Sequence, residues 1–259
     1  MIPKIIHYCW FGKKRKPKLV RDCIESWKKH LPDYEIIEWN ETNSDLSHPF
    51  VKETYKLKKW AFVSDYIRLK VIYENGGVYL DTDMMVVKNF DELLKHSIFL
   101  GAEDSEFINC SILGAIKGNL LIKEFLTFYD NLKFEGVSLY DLTIPRIVTK
   151  LIREKFKFEN EFNNIVSFNN FVVYPEKYFY PFPHKNKDEL ENYTCFIDDK
   201  SFTVHLWSSS WIEYSEFHYF RKKQYFKGFK KILREISNGD KMNFKYWRKI
   251  LSSINESLK

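Results

Sequence analysis

The sequence predicts an α/β domain built on a mostly parallel central sheet, followed by a helical tail. Three observations predict it. A strand-length apolar run, a helical segment and a second strand-like run succeed one another at the start of the chain. Further on, a long helical pattern is stopped by Asn75-Gly76-Gly77 and feeds directly into another strand. The last residues carry two apolar stripes at helical spacing on a basic background.

In chain order, residues 4–9 (KIIHYC) have strand length and lead through Phe11-Gly12 into the basic loop KKRKPK. Val20, Cys23, Ile24 and Trp27 fall at helical spacing, Leu31-Pro32 ends that segment, and residues 34–39 (YEIIEW) read as the second strand. Phe62, Val63, Tyr66, Ile67, Leu69, Val71 and Ile72 predict a well-buried helix over 60–74, after which VYL forms a strand and MMVV another. Residues 120–132 and 144–156 have helical patterns, 171–174 and 202–206 strand patterns, and 186–192 is a polar excursion. No clean linker divides residues 1–220, which we take as one domain. In the tail, 221–259, Tyr225, Phe226, Phe229, Ile232, Leu233 and Ile236 make one stripe. Trp247, Ile250, Leu251, Ile254 and Leu258 make a second beyond Asn238-Gly239-Asp240.

Composition excludes whole classes. With 44% hydrophobic and 29% charged residues among 259, the chain is neither disordered nor fibrous, and 46 aromatic residues give it ample core material. No apolar run is long enough to span a bilayer, and MIPKIIHYCWFG lacks the pattern of a signal peptide, so a cytoplasmic location is expected. Cys9, Cys23, Cys110 and Cys195 stand far apart with no C-x-x-C pair and are read as reduced thiols. The net charge of +6 is unevenly placed: residues 221–259 hold 12 Lys and Arg against 3 Asp and Glu, whereas the first 220 hold 29 against 32.

Asp81 and Asp83 follow the buried strand one residue apart, so in extended geometry both carboxylates project to one side. Their mutual repulsion is relieved by a divalent cation, or by water if the pair is only a solvated turn. Asp65 and Arg68, three apart, share a helix face and can form an ordinary surface ion pair.

Taken together, the run WAFVSDYIRLKVIYENGGVYLDTDMMVV resembles the sugar-binding region of the D-x-D glycosyltransferases, namely glycosyltransferase family 32 and, more distantly, the clostridial glucosylating toxins. The pattern Ala-x-x-Ser-Asp-x-x-Arg, then Gly-Gly-x-Tyr-x-Asp-x-Asp, is met by Ala61, Ser64, Asp65, Arg68, Gly76, Gly77, Tyr79, Asp81 and Asp83. IPKIIHYCWFG resembles the family's first strand, and VHLWSSSW its closing His-x-Trp-x-x-Ser-Trp segment. The resemblance spans about residues 1–215 and leaves the tail outside.

The resemblance implies a GT-A, Rossmann-like fold and a set of roles. Trp10 would stack on the base of a nucleotide, unless it is a core Trp. Asp65 and Arg68 would hold donor-sugar hydroxyls, with Tyr79 lining the same pocket. Asp81 would reach ribose and sugar hydroxyls, while Asp83 and His205 would ligate Mn²⁺ or Mg²⁺, and Ser209 and Trp211 would contact the β-phosphate. Glu103, Asp104 and Asn109 stand on the acceptor side, with Asp104 and Asn109 taken as catalytic candidates beside Asp81 and Asp83. One departure is plain: Thr143-Ile144-Pro145 stands where many relatives have Thr-Gly-Pro, so the acceptor side differs.

The implied activity is a metal-dependent retaining transfer of a hexose or N-acetylhexosamine from a nucleotide sugar, UDP-linked in the relatives. The acceptor is a glycan or lipid-linked oligosaccharide of surface polysaccharide such as capsule, and no nucleophile is assigned. The competing readings are a non-catalytic nucleotide-sugar or polysaccharide-binding protein and a metal-dependent phosphotransferase or hydrolase. For the tail, nucleic acid is disfavoured because the aromatics lie on the apolar stripes. An anionic membrane at the inner face of the plasma membrane, or packing of the tail on the catalytic domain, are the two alternatives.

Overall fold

A computed structural model of the chain describes residues 1–132, 141–169, 171–208, 216–237 and 243–258. It divides into two compact units, 1–208 and 209–259. The first contains β1 (Ile5–Cys9), α1 (Lys18–His30), β2 (Glu35–Trp39), α2 (Pro49–Lys56), α3 (Trp60–Asn75), β3 (Gly77–Leu80) and β4 (Met84–Val86). It continues with β5 (Ile98–Ala102), β6 (Ile108–Ala115), α4 (Leu120–Asp130), α5 (Ile144–Phe156), β7 (Val166–Phe168), β8 (Phe171–Tyr174), α6 (Glu176–Phe179) and β9 (Thr203–His205).

Seven strands form one sheet in the order β2-β1-β3-β6-β5-β8-β7. β1, β2, β3, β5 and β8 run in one direction, and β6 and β7 run against them. The sheet is therefore mostly parallel in direction, as expected, with the antiparallel β6 inserted at its centre. Alternation along the strands sends side chains to two cores. Tyr79, Cys110, Leu113 and Val173 enter one with residues of α2, α3, α4 and α5. Ile6, Tyr8, Val78, Leu80, Ile112 and Val172 enter the other with Cys23 and Trp27 of α1.

The Gly-Gly stop after α3 works as the sequence predicts. Gly76 and Gly77 adopt φ of 71° and 104°, and a Cβ on Gly77 would sit 2.7 Å from the Ile5 carbonyl oxygen. The chain thereby leaves the helix and enters the sheet beside β1 without a loop.

The strand expected from MMVV forms, but off the main sheet. The Met84 N–H donates to the Asp81 carbonyl at 3.0 Å, closing a turn that swings β4 away to pair antiparallel with β9. Helix α1 anchors it: Trp27 Nε1 donates to the Met84 carbonyl at 2.7 Å, and the Val86 N–H to Ser26 Oγ at 3.0 Å. The same turn corrects the expected extended geometry of the acidic pair, because Asp81 and Asp83 now face different partners.

The second unit holds α7 (Glu216–Arg221), α8 (Tyr225–Ser237) and α9 (Phe244–Leu258), with α8 and α9 both packed on the short α7. Its buried apolar centre is Phe220, Ile232 and Ile250. Gly228 lets the Phe220 ring approach, since a Cβ there would lie 2.9 Å from it. Arg221 Nε donates to Glu256 at 2.7 Å, and Tyr225 and Ser257 share a hydroxyl hydrogen bond of 2.9 Å.

Candidate active site

The carboxyl ends of β1 and β3 are adjacent in the sheet, and the residues the sequence singles out cluster there. Arg68 reaches from α3 to the end of β3. Its Nη2 lies 3.0 Å from Asp65 Oδ1 and 3.2 Å from Asp81 Oδ1, and its Nη1 donates to the Cys110 carbonyl at 2.8 Å. Nε donates to the Ser64 carbonyl at 3.2 Å, and the guanidinium lies over the Tyr79 ring at 4.6 Å. Tyr79 in turn donates its hydroxyl to Asp81 Oδ1 at 3.0 Å. The fork geometry of arginine is what permits one cation to bind two carboxylates and two carbonyls at once.

Asp65 and Arg68 are buried rather than a surface pair, with side chains 8% and 5% exposed, whereas Asp81 keeps 24%. Asp81 is the member of this cluster with an open side. Burial pushes the Asp65 carboxyl up to about 7, against the pull of Arg68 and of the Ile144 N–H at the start of α5. Ile144, the departure from the expected glycine, thus meets the site through its backbone.

Asp83 belongs to a second cluster. His205 Nε2 donates to its Oδ1 at 3.2 Å and the Ser208 N–H to its Oδ2 at 2.8 Å, the register Met84↔His205 of β4 and β9 bringing them together. Burial alone would raise Asp83, but the neighbouring His205 and the Ser208 N–H hold it at about 2. Burial would likewise lower His205, and Asp83 outweighs it, so the imidazole is shifted upward. Trp207, at the left-handed φ of 48°, lays its ring 3.9 Å from that of His205 and donates Nε1 to the Phe182 carbonyl at 2.7 Å.

The two carboxylates of the D-x-D pair therefore have different partners, Arg68 for Asp81 and His205 with the Ser208 N–H for Asp83. His205 Nδ1 and Ser208 Oγ are buried beside Asp83 without a hydrogen-bond partner. Among the described residues no group of three or more His, Cys, Asp or Glu could hold a metal. One carboxylate, one imidazole and these open polar atoms fit a divalent ion that takes its other ligands from phosphate and water, as Mg²⁺ and Mn²⁺ do.

The remaining candidates are spread around this end of the sheet. Trp10 is half-buried, donates Nε1 to the Lys14 carbonyl at 2.7 Å and carries Lys16 over its ring at 5.9 Å, so it is no fully enclosed core Trp. Asn109 is buried and fully engaged: its amide donates to Glu103, and its Oδ1 accepts from the Ser111 N–H at 2.7 Å and Ser111 Oγ at 2.8 Å. Burial raises Glu103, whose charge is felt by His205. Asp104 is exposed and its Oδ1 accepts from the Glu106 and Phe107 N–H groups, which ties it to its own turn. Ser209 and Trp211 lie outside the described residues.

Sequence reasoning missed the groups that act through the backbone or by packing. The Ser208 N–H, the Cys110 carbonyl and Tyr180, which donates to the Asn109 carbonyl at 2.9 Å, carry no local motif. Buried His7 also escaped notice: it donates Nε2 to the Gly76 carbonyl at 2.8 Å and accepts from Trp39 Nε1 at 3.0 Å.

Residues 17–100 match the family model described as "Glycosyltransferase sugar-binding region containing DXD motif". The match covers 84 of the 259 residues, about a third of the chain. Arg68, Asp65, Tyr79, Asp81 and Asp83 all fall inside it. Inositol phosphoceramide mannosyltransferase 3 of Schizosaccharomyces pombe is 27% identical over 126 residues, 46% of this chain and 34% of the relative. The human α-1,4-N-acetylglucosaminyltransferase is 23% identical over 189 residues, 70% of this chain and 50% of the relative. The chain thus spans a third to a half of the length of these curated relatives. The solved PaToxG glycosyltransferase superposes with a TM-score of 0.50 at 19% identity, over 60% of this chain and 70% of its own, and the likeness shows a shared GT-A fold around the sugar-binding region.

Proposed function

We propose that the chain is a metal-dependent retaining glycosyltransferase that moves a hexose or N-acetylhexosamine from a nucleotide sugar, UDP-linked, to a glycan or lipid-linked oligosaccharide in surface-polysaccharide synthesis. The observation that carries the reading is Arg68 clasped between Asp65 and Asp81 at the end of β3, inside the matched region and beside the Asp83–His205 pair. The names of the relatives, a mannosyltransferase and an N-acetylglucosaminyltransferase, suggest the sugar class. The enzyme would work at the cytoplasmic face of a membrane, where lipid-linked acceptors are found. No helix among the described residues is long and apolar enough to cross a bilayer.

In this reading Asp81, the carboxylate with an open side, accepts from ribose and sugar hydroxyls, while Arg68 and Tyr79 hold its orientation and Asp65 backs the guanidinium. Trp10 offers a ring face to the base. Asp83 and His205 hold the divalent ion, which when bound supplies a Lewis acid to the departing diphosphate. Ser208 keeps the Asp83 carboxylate aimed by its N–H and offers a free hydroxyl beside it.

Mn²⁺ with a panel of UDP- and GDP-sugars should give slow release of nucleoside diphosphate from one donor even without acceptor. Asp83→Asn should lower that release by about 100-fold or more with the circular dichroism spectrum unchanged. Donor binding with no release from any sugar would replace the reading by a nucleotide-sugar-binding protein. Release of inorganic phosphate instead would point to phosphotransfer or hydrolysis.

A further inference from the structure

Among its described residues, the second unit leaves many of its large apolar side chains exposed. Of the twelve large apolar side chains exposed among the described residues, eight lie in it: Phe226, Phe229, Leu233 and Ile236 on α8, and Phe244, Trp247, Leu251 and Leu258 on α9. Those on α8 recur at intervals of three and four residues, which places them on one face. That face borders the inner one, where Gly228 and Ile232 meet the Phe220 centre and Phe229, at the margin, sets its ring edge-on to Phe220 at 5.1 Å. On α9 the exposed row likewise lies beside an inner row of Tyr246, Ile250 and Ile254. The apolar arc of each helix is therefore wider than its contacts use.

Among its described residues only three apolar side chains are buried at the centre, a small core that a further apolar phase would complete. Charge indicates which phase. Residues 221–259 carry 12 Lys and Arg against 3 Asp and Glu, and Lys227 and Lys230 on α8 and Arg248 and Lys249 on α9 are exposed. Cations beside an outward apolar face match the anionic headgroups and upper acyl chains of a bilayer.

We infer that the outward apolar faces of α8 and α9 seat in the interfacial layer of an anionic lipid bilayer, the helices lying on the membrane rather than crossing it. The inference deepens the membrane-surface part of the proposed function and rests on it. It is nevertheless measured without donor or acceptor, so its failure leaves the transferase reading to its own test.

Full-length protein should co-sediment with phosphatidylcholine vesicles containing phosphatidylglycerol, bind vesicles of phosphatidylcholine alone far more weakly, and be released by salt. The double variant Phe226→Ser, Leu233→Ser removes exposed groups only and should melt as the parent does while losing about tenfold or more in partition. Lys227→Gln with Lys230→Gln should lose the preference for anionic vesicles. Equal partition of parent and Phe226→Ser, Leu233→Ser protein would overturn the inference. So would an absence of vesicle binding, whether the protein is monomeric, with the face covered by its own first unit, or self-associating, with the face covered by a second copy.

Discussion

Arg68 is buried with a bond to nearly every direction its guanidinium can address: two carboxylates, two carbonyls and the face of Tyr79. Lysine carries the charge but not the fork, so Arg68→Lys leaves some of those acceptors unpaired in a dry site. The substitution should destabilise the fold by roughly 1–3 kcal/mol in urea titrations, the cost of leaving buried acceptors unpaired. A loss below about 1 kcal/mol would mean the cluster behaves as a solvated surface pair. His7 gives a pH prediction. Burial lowers its imidazole to about 4, against a modest upward pull from the Gly76 carbonyl. The unfolded chain, at the ordinary value of 6.5, takes up a proton first as pH falls. The stabilisation is therefore complete above pH 6.5, declines below it and is gone once the pH has fallen through 4. A shift of that size is worth about 3 kcal/mol. Chemical denaturation of the parent and of His7→Gln at pH 7 and pH 4 should show the parent losing about that much more; equal losses would remove His7 as the cause.

At the scale of elements, β3 is the piece on which the site depends, since all four of its residues are buried between β1 and β6 and its end delivers Asp81. Its entry through Gly77 is both left-handed and crowded, by the Ile5 carbonyl at 2.7 Å and His7 Nε2 at 2.9 Å. Gly118, at φ 71°, has nothing within 4 Å of a built Cβ. Gly118→Ala should therefore cost about 1 kcal/mol for backbone strain alone, and Gly77→Ala about 3 kcal/mol or more, because backbone must move as well. Equal midpoints in a urea comparison of the two variants would show that crowding contributes nothing. The strand entry was readable from sequence because Asn-Gly-Gly after an apolar helix is a local signal. The fate of β4 was not: MMVV has strand composition on any sheet, and only Trp27, Ser26 and β9, all remote in sequence, select its place.

Across the whole molecule, the same division between local and remote information explains which site residues could be named in advance. Asp65, Arg68, Tyr79, Asp81 and Asp83 sit within one short stretch whose spacing survives inspection, and the structure collects them with His205 at one end of the sheet. Their pairing was not readable. The D-x-D motif suggested two carboxylates sharing one ion, whereas the turn at Asp81–Met84 gives each its own partner. Ser208 contributes an amide, a group every residue but proline has, so no spacing rule could single it out. The tail was legible as two amphipathic helices, but the sequence could not show that α7 would take only part of each apolar face and leave the rest outward.

The pairing of Asp83 with His205 joins positions 122 residues apart. During synthesis at bacterial or eukaryotic ribosome speeds, that distance corresponds to a delay of about 6–24 s between emergence of the carboxylate and arrival of its imidazole. For that interval the nascent chain presents an acidic loop without its closing strand, and a message truncated before β9 yields a polypeptide that keeps the loop and never gains His205.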